Sequence, residues 1–139
     1  MKKLLETDRL IIRELEESDE KAFIDMVSDG SIASIFQGWE NCSEWMAEWI
    51  REARGLYLIN NPKSEYLAYA IVKKDTNEVI GSVGCSAYED WNEVGITYFI
   101  GSKYRNCGFA SEAANAYAIY FIKTYDFNYL IATVEENNF

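Results

Sequence analysis

Arg105-Asn106-Cys107-Gly108-Phe109-Ala110 forms an Arg-x-x-Gly-x-Ala loop between two segments of different character. Glu93 to Ile100, before it, reads as a strand; from about Ser111 to Tyr125, after it, apolar residues recur at helical spacing. Gly108 has no side chain and Ala110 a minimal one. A ligand can therefore approach the backbone closely, where the first N–H groups of a helix lack intrahelical acceptors. A helix start also carries partial positive charge, so the corner suits a phosphate. A glycine that merely ends a turn ahead of a helix is the plainer reading of the same residues.

Other chemistry is limited by what the chain lacks. Its 139 residues include no histidine, which removes Ser-His-Asp and Cys-His nucleophile systems and every His-containing metal site. Catalysis would fall to carboxylates, Tyr or Cys, and no metal is expected. Cys42, Cys85 and Cys107 are isolated, with no Cys-x-x-Cys pair and no signal peptide ahead of them, which implies reduced thiols in the cytoplasm. Cys85 reads as a small core residue, and Cys107 as a loop residue whose backbone matters more than its thiol. The formal charge of −10 argues against nucleic acid or anionic lipid as main partner and suits a cationic or amine substrate; an acidic surface that is merely soluble explains it equally well. No apolar run reaches the roughly 18 residues a membrane span needs.

The elements that must hold the loop can be read in order. Leu10 to Leu15 is a first strand, and Ser18-Asp19-Glu20 caps a helix whose inner face is Ala22, Phe23, Met26 and Val27, stopping near Gly30. The stretch to Trp39 has no period and could cover a pocket. Asn41 with Glu44 resembles a capping box for a second helix, in which Trp45, Met46, Trp49, Ile50 and Ala53 recur before Gly55. Tyr66 to Val72, Val79 to about Tyr88, and Glu93 to Ile100 form an antiparallel meander. Gly81 and Gly84 suggest a bulge or a close backbone approach. After the loop, Ala113, Ala114, Tyr117, Ala118, Phe121, Ile122 and Tyr125 mark one wide helix face, and Tyr129 to Val134 is a short buried strand. A helix between two strands implies a locally parallel pair, so the fold class is α/β: a mixed, mostly antiparallel sheet flanked by helices, in one domain over 1–139. The last strand is left at an edge, and pairing with a second copy in a homodimer is one way to satisfy it.

The order of elements resembles the GNAT superfamily of acetyl-CoA-dependent N-acetyltransferases, and more narrowly its RimJ/RimL-like branch, which acetylates ribosomal-protein N-termini. Three segments carry the resemblance: Glu6-Thr7-Asp8-Arg9-Leu10-Ile11-Ile12-Arg13, Glu93 to Ile100, and Tyr104 to Ala113 across the loop. It implies that the amides of Asn106, Cys107, Gly108, Phe109, Ala110 and Ser111 hold the pyrophosphate of coenzyme A. It also implies that the strand ending at Phe99 and Ile100 pairs with the pantetheine arm, and that Asn138 contacts the cofactor. Arg105 and Lys103 add local positive charge. The resemblance further implies a last helix and strands that 1–139 does not contain.

Such chemistry needs a neutral amine as nucleophile. Glu93 is the candidate base by the resemblance, with Glu89 or Asp90 as alternatives and a solvated strand-end glutamate as the plainer reading. Tyr98 could protonate the departing thiolate or be a packed aromatic; Trp39 and Phe36 could wall an acceptor site or fill the core. The implied function is acetyl transfer from acetyl-CoA to a primary amine, a protein N-terminus or a small polyamine-like molecule. A coenzyme A binding module without turnover and an acidic interaction domain without cofactor are the competing functions.

Overall fold

Leu67, Tyr69 and Ile71 face one hydrophobic core while Ala68, Ala70 and Val72 face another, which is why this strand reads as an unbroken apolar run: both faces of the sheet are covered. A computed structural model describes residues 2–132. The sheet has five strands in the order β1 (Lys3–Glu6), β2 (Leu10–Glu14), β3 (Leu67–Lys73), β4 (Glu78–Tyr88) and β5 (Glu93–Ile100), each antiparallel to its neighbour. Helices α1 (Glu20–Val27) and α2 (Cys42–Ile59) lie between β2 and β3 in sequence and cover one face with Phe23, Val27, Met46 and Ile50. Helix α3 (Phe109–Tyr125) covers the other with Phe109, Ala113, Tyr117 and Phe121.

The meander and α3 follow the expected pattern, and other elements depart from it. The strand β1 precedes the expected first strand, making a hairpin through Thr7–Arg9. Asp19 does not cap α1 from solvent. It is buried, closing a capping box one turn earlier with Glu16 and pairing with buried Arg13. Asn41 makes no side-chain cap at α2, and α2 runs through Gly55 to Ile59, because Leu56 continues the buried face beyond the glycine. At Gly84 a side chain is impossible: a Cβ would fall 1.8 Å from the Leu67 carbonyl oxygen, so the close approach of β3 and β4 requires glycine.

After α3 the chain returns to the outer edge of β5. A parallel bridge joins Gly95 and Ile131, with Ile96 N–H donating to Ile131 at 2.9 Å and Ile131 N–H to Val94 at 3.1 Å. Among the described residues the expected parallel pair is represented by this bridge. Tyr129, expected within a buried strand, is instead 51% exposed. The remainder of that expected strand, 133–134, and Asn138 lie outside the described residues.

Arg13 and Asp19 meet through two charge-assisted bonds of 2.8 and 2.9 Å with both residues buried. The bond from Asp19 raises the Arg13 pKa, outweighing the opposing effect of burial. Removing one partner strands a charge in the interior, which costs about 3–5 kcal/mol. We expect Asp19→Ala to lose about that much stability in urea unfolding; a loss under about 1 kcal/mol would show that water relieves Arg13.

Candidate functional site

The loop between β5 and α3 leaves a run of backbone donors unpaired. Tyr104 N–H is bonded to Gly101 and Glu112 N–H to the Gly108 carbonyl at 3.1 Å, but among the described residues no acceptor meets the N–H groups from Asn106 to Ser111. Two residues in the left-handed region shape this run: Asn106 at φ 65° and Gly108, the N-cap immediately before α3, at φ 79°. An asparagine tolerates that conformation and a glycine adopts it freely. Asn106, Cys107, Gly108 and Ser111 are exposed, Ala110 is half-buried, and Phe109 alone is buried, as the anchor of the loop in the core. Unpaired donors at a helix start, open to solvent, make an anion cradle.

A second unpaired surface leads to it. Strand β5 is an edge of the sheet, and its residues present backbone groups alternately to β4 and outward. The bridge to Ile131 uses the outward groups of Val94 and Ile96, so those of Tyr98 and Ile100 point the same way, while those of Phe99 face β4. Past Ile96 this edge has no strand partner among the described residues; the Ile100 carbonyl accepts from Arg105 Nε at 3.3 Å. The open edge thus runs directly into the donor loop. The Phe99 ring lies in the core against Phe23 and Phe36, edge-on to both. Tyr98 is 43% exposed rather than packed.

Arg105 also donates to the Ser31 carbonyl at 3.2 Å, tying the loop to the segment after α1. Beside it, Ser102 donates to Asp29 at 2.7 Å and the Ser31 amide to the same carboxylate at 2.8 Å. Trp39 packs half-buried in this segment, with its ring over Gly30, and Phe36 is buried against Trp45, Trp49 and Phe99.

The sequence reasoning missed Arg9. This residue of the β1–β2 turn reaches across to α3, with Nε on Glu112 at 2.7 Å, Nη1 on the Cys107 carbonyl at 2.9 Å, and its guanidinium over the Phe109 ring at 4.3 Å. Thr7 donates to the same Glu112 carboxylate. Burial pushes the Glu112 carboxyl up, but Thr7 and Arg9 together outweigh it and hold it below the ordinary glutamate value.

Glu93 stands apart. It begins β5, seven residues from Ile100, or about 24 Å at about 3.4 Å per residue. The Tyr129 hydroxyl donates to its carboxylate at 2.7 Å, and it lines a cavity of about 480 Å³ with Tyr88, Asn92, Tyr125 and Phe127. Asp90 is exposed nearby, and the side chain of Glu89 is outside the described residues. The structure therefore brings Tyr98, Ile100 and Arg105 to Ser111 together and leaves Glu93 at the other end of the strand. Cys42 and Cys85 are buried and Cys107 exposed, all three free; burial pushes the Cys85 thiol up to about 11, which makes it a poor nucleophile at neutral pH. Among the described residues there is no cluster of His, Cys, Asp or Glu able to hold a metal ion, and no helix long and apolar enough to cross a membrane.

Residues 9–139 match the family model described as an acetyltransferase (GNAT) domain. The chain is 29% identical over 120 residues to Uncharacterized N-acetyltransferase YoaA of Bacillus subtilis (strain 168), covering 84% of this chain and 65% of that protein. It thus spans less than two thirds of that relative's length. Among solved structures, an acetyltransferase (GNAT family) from Bacillus anthracis superposes with a TM-score of 0.74 at 23% identity, over 96% of this chain and 75% of the other. RimL, a ribosomal L7/L12 alpha-N-protein acetyltransferase in complex with coenzyme A, gives 0.68 at 16% identity, over 89% and 67%. Ribosomal-protein-S5-alanine acetyltransferase from Vibrio fischeri gives 0.72 at 15% identity, over 96% and 75%. These likenesses establish a shared fold.

The tie between the two loops has a pH signature. Ser31 lowers the Asp29 carboxyl, its amide bonded and its hydroxyl close by without completing a bond; Ser102 and Arg105 add to this, giving about 2. That is below the value of about 3.9 for a free aspartate, so the contribution to stability is complete above pH 4 and disappears as pH falls through about 2. Ser102→Ala removes one donor, and we expect the Asp29 carboxyl to titrate higher, followed by carboxyl-carbon NMR. An unmoved titration would mean that the tie is not made in solution.

Proposed function

The chain belongs to the GNAT acetyltransferase domain family, and from that premise we propose that it binds acetyl-CoA along the open edge of β5 and transfers the acetyl group to a primary amine. The observation that carries this reading is the run of unpaired N–H groups from Asn106 to Ser111 at the start of α3. A diphosphate there would accept several hydrogen bonds without displacing any internal one, and would meet the positive end of the helix. An amide of the pantetheine arm could pair with the outward groups of Tyr98 and Ile100 as an added strand would. The residues present fit the cosubstrate.

Bound acetyl-CoA supplies an activated thioester. The amine nitrogen attacks its carbonyl carbon, the C–S bond breaks, and the thiolate leaves with a proton from the attacking amine or from Tyr98, which stands exposed at the open edge. No covalent enzyme intermediate is needed, in keeping with a chain that lacks a nucleophile and base pair. A lysine-type amine must lose a proton at a cost of about 4.6 kcal/mol at pH 7, whereas an N-terminal amine near pKa 8 costs about 1.4 kcal/mol. A protein N-terminus is thus the easier acceptor, and RimL, named for α-N-protein acetylation, shares the fold. A small polyamine-like acceptor is the alternative. Acetyl-CoA as donor suits the cytoplasm. We assign the base to Glu93, which can serve only an amine arriving through the cavity of about 480 Å³ at its end of β5. Its separation from the donor loop favours a second reading, coenzyme A binding without turnover.

The two readings divide on one experiment. The purified chain is incubated with acetyl-CoA and a panel of N-terminal peptides and polyamines while free thiol is followed. Thiol release dependent on the amine supports transfer; a thermal shift with coenzyme A but no release supports the binding module; neither response removes both. Gly108→Val places a branched side chain at φ 79° over the donors, and we expect about tenfold or greater loss of coenzyme A affinity in a still folded domain. Unchanged affinity would move the diphosphate elsewhere. Glu93→Gln should depress turnover by about 10²-fold with affinity for acetyl-CoA unaltered; a normal rate across pH removes Glu93 from the mechanism.

A further inference from the structure

The loop that offers donors also carries two acceptors that would oppose an anion, the Cys107 carbonyl within it and the Glu112 carboxylate in the first turn of α3. Both are occupied by the same side chain: Arg9 Nη1 binds the carbonyl at 2.9 Å and Nε binds the carboxylate at 2.7 Å. The Arg9 backbone N–H adds a bond to the second carboxylate oxygen at 3.1 Å, and Thr7 bonds the same oxygen. Phe109, the buried residue of the loop, lies beneath the guanidinium, its ring centre 4.3 Å from the guanidinium carbon. The third nitrogen, Nη2, has no acceptor among the described residues and stands 3.4 Å from where a Cβ on Gly108 would be, beside the donors.

We infer that Arg9 is a positioning residue for the diphosphate site: it turns the Cys107 carbonyl and the Glu112 carboxylate away from the cradle and neutralises the latter, so that only donors face the ligand. The inference rests on the reading of the Asn106–Ser111 amides as a diphosphate cradle. An unpaired carboxylate in the first turn would place a full negative charge where another must bind, offsetting the helix-start attraction. A lysine could supply the charge but not the two-pronged contact, since its single ammonium cannot span both acceptors with the geometry of a guanidinium. The N-terminal hairpin thereby becomes part of the cofactor site although none of its side chains lies in the loop sequence.

The test uses the full chain and coenzyme A itself as titrant. Arg9→Ala is expected to weaken coenzyme A binding about tenfold or more, raising KM for acetyl-CoA with kcat little changed, and to do so less at high salt. Arg9→Lys, which keeps the charge and the fold, is expected to remain several-fold weak; full recovery would overturn the geometric part of the role. Arg9→Ala with Glu112→Gln is expected to bind more tightly than Arg9→Ala alone, because the exposed carboxylate is gone while Thr7 keeps a partner. A double variant that binds no better would overturn the neutralising part, and wild-type affinity in both Arg9 variants would overturn the whole. If the unmodified chain itself fails to bind coenzyme A, the underlying reading fails instead, and the result is distinguishable because no variant is needed to see it.

Discussion

Backbone donors without acceptors are uncommon in folded proteins, and here a consecutive run of them sits at the start of α3. Water makes this tolerable: a buried N–H with no partner costs about 1–3 kcal/mol, whereas most of this loop is exposed. The constraint is therefore twofold. The loop must stay open enough for water to satisfy its donors, yet rigid enough for them to converge. Left-handed residues at Asn106 and Gly108 turn the chain, and buried Phe109 pins it. Arg105 fixes the loop to Ile100 and Ser31 from one side, and Arg9 fixes it to Glu112 and Cys107 from the other. Rigidity comes from side chains at the margin and not from closing the amides on themselves.

Electrostatics explains why those margins are arginines. The chain carries −10, and a polyanionic ligand meets a hostile field at long range. At physiological ionic strength exposed charges beyond about 8 Å are largely screened, so what decides binding is the local set. Close to the loop that set is Lys103, Arg105 and Arg9 against Asp29 and Glu112; Glu112 is already paired with Arg9, and Asp29 is held by Ser31 and Ser102. Arginine keeps its charge at any working pH and its fork engages two acceptors at once, which a lysine cannot do. The acidic remainder of the surface is compatible with a cationic amine, so one molecule can present opposite preferences at two places a strand's length apart.

How much of this could be read from the sequence follows from how local each feature is. The unbroken apolar run of β3, the wide face of α3 and the loop between β5 and α3 are visible because neighbouring residues determine them. Features settled by distant partners were not visible. Asp19 reads as a solvent cap, yet its partner Arg13 lies on β2 and the pair is buried. Gly55 reads as a helix end, but the residue after it, Leu56, has a core to fill. Strand β1 lacks the alternation that marks a strand and exists because β2 offers it an edge. Arg9 is about a hundred positions from the groups it binds, and nothing in its local pattern separates it from an exposed turn arginine. The nearest signal was its inclusion in the segment Thr7-Asp8-Arg9-Leu10, which carried the family resemblance without a role attached.

The course of β5 ties these points together. Its inner edge is fully used by β4, and its outer edge is divided: Val94 and Ile96 are paired with Ile131, while Tyr98 and Ile100 have no strand partner among the described residues. An open edge invites unwanted strand addition, and proteins usually blunt it. Among the described residues it covers Tyr98 and Ile100, is ended by the Arg105 bond to Ile100 and carries exposed Tyr98, a length that suits a linear ligand with one or two amides. Glycine is suited to the bridge position at Gly95 because a side chain would meet the Tyr88 ring at 2.2 Å. The separation between Glu93 and the donor loop is the length of β5, with the Ile131 bridge lying between them near the Glu93 end. On the proposed reading, the linear cosubstrate lies along Tyr98 and Ile100 and the amine arrives from the Glu93 end of the same strand.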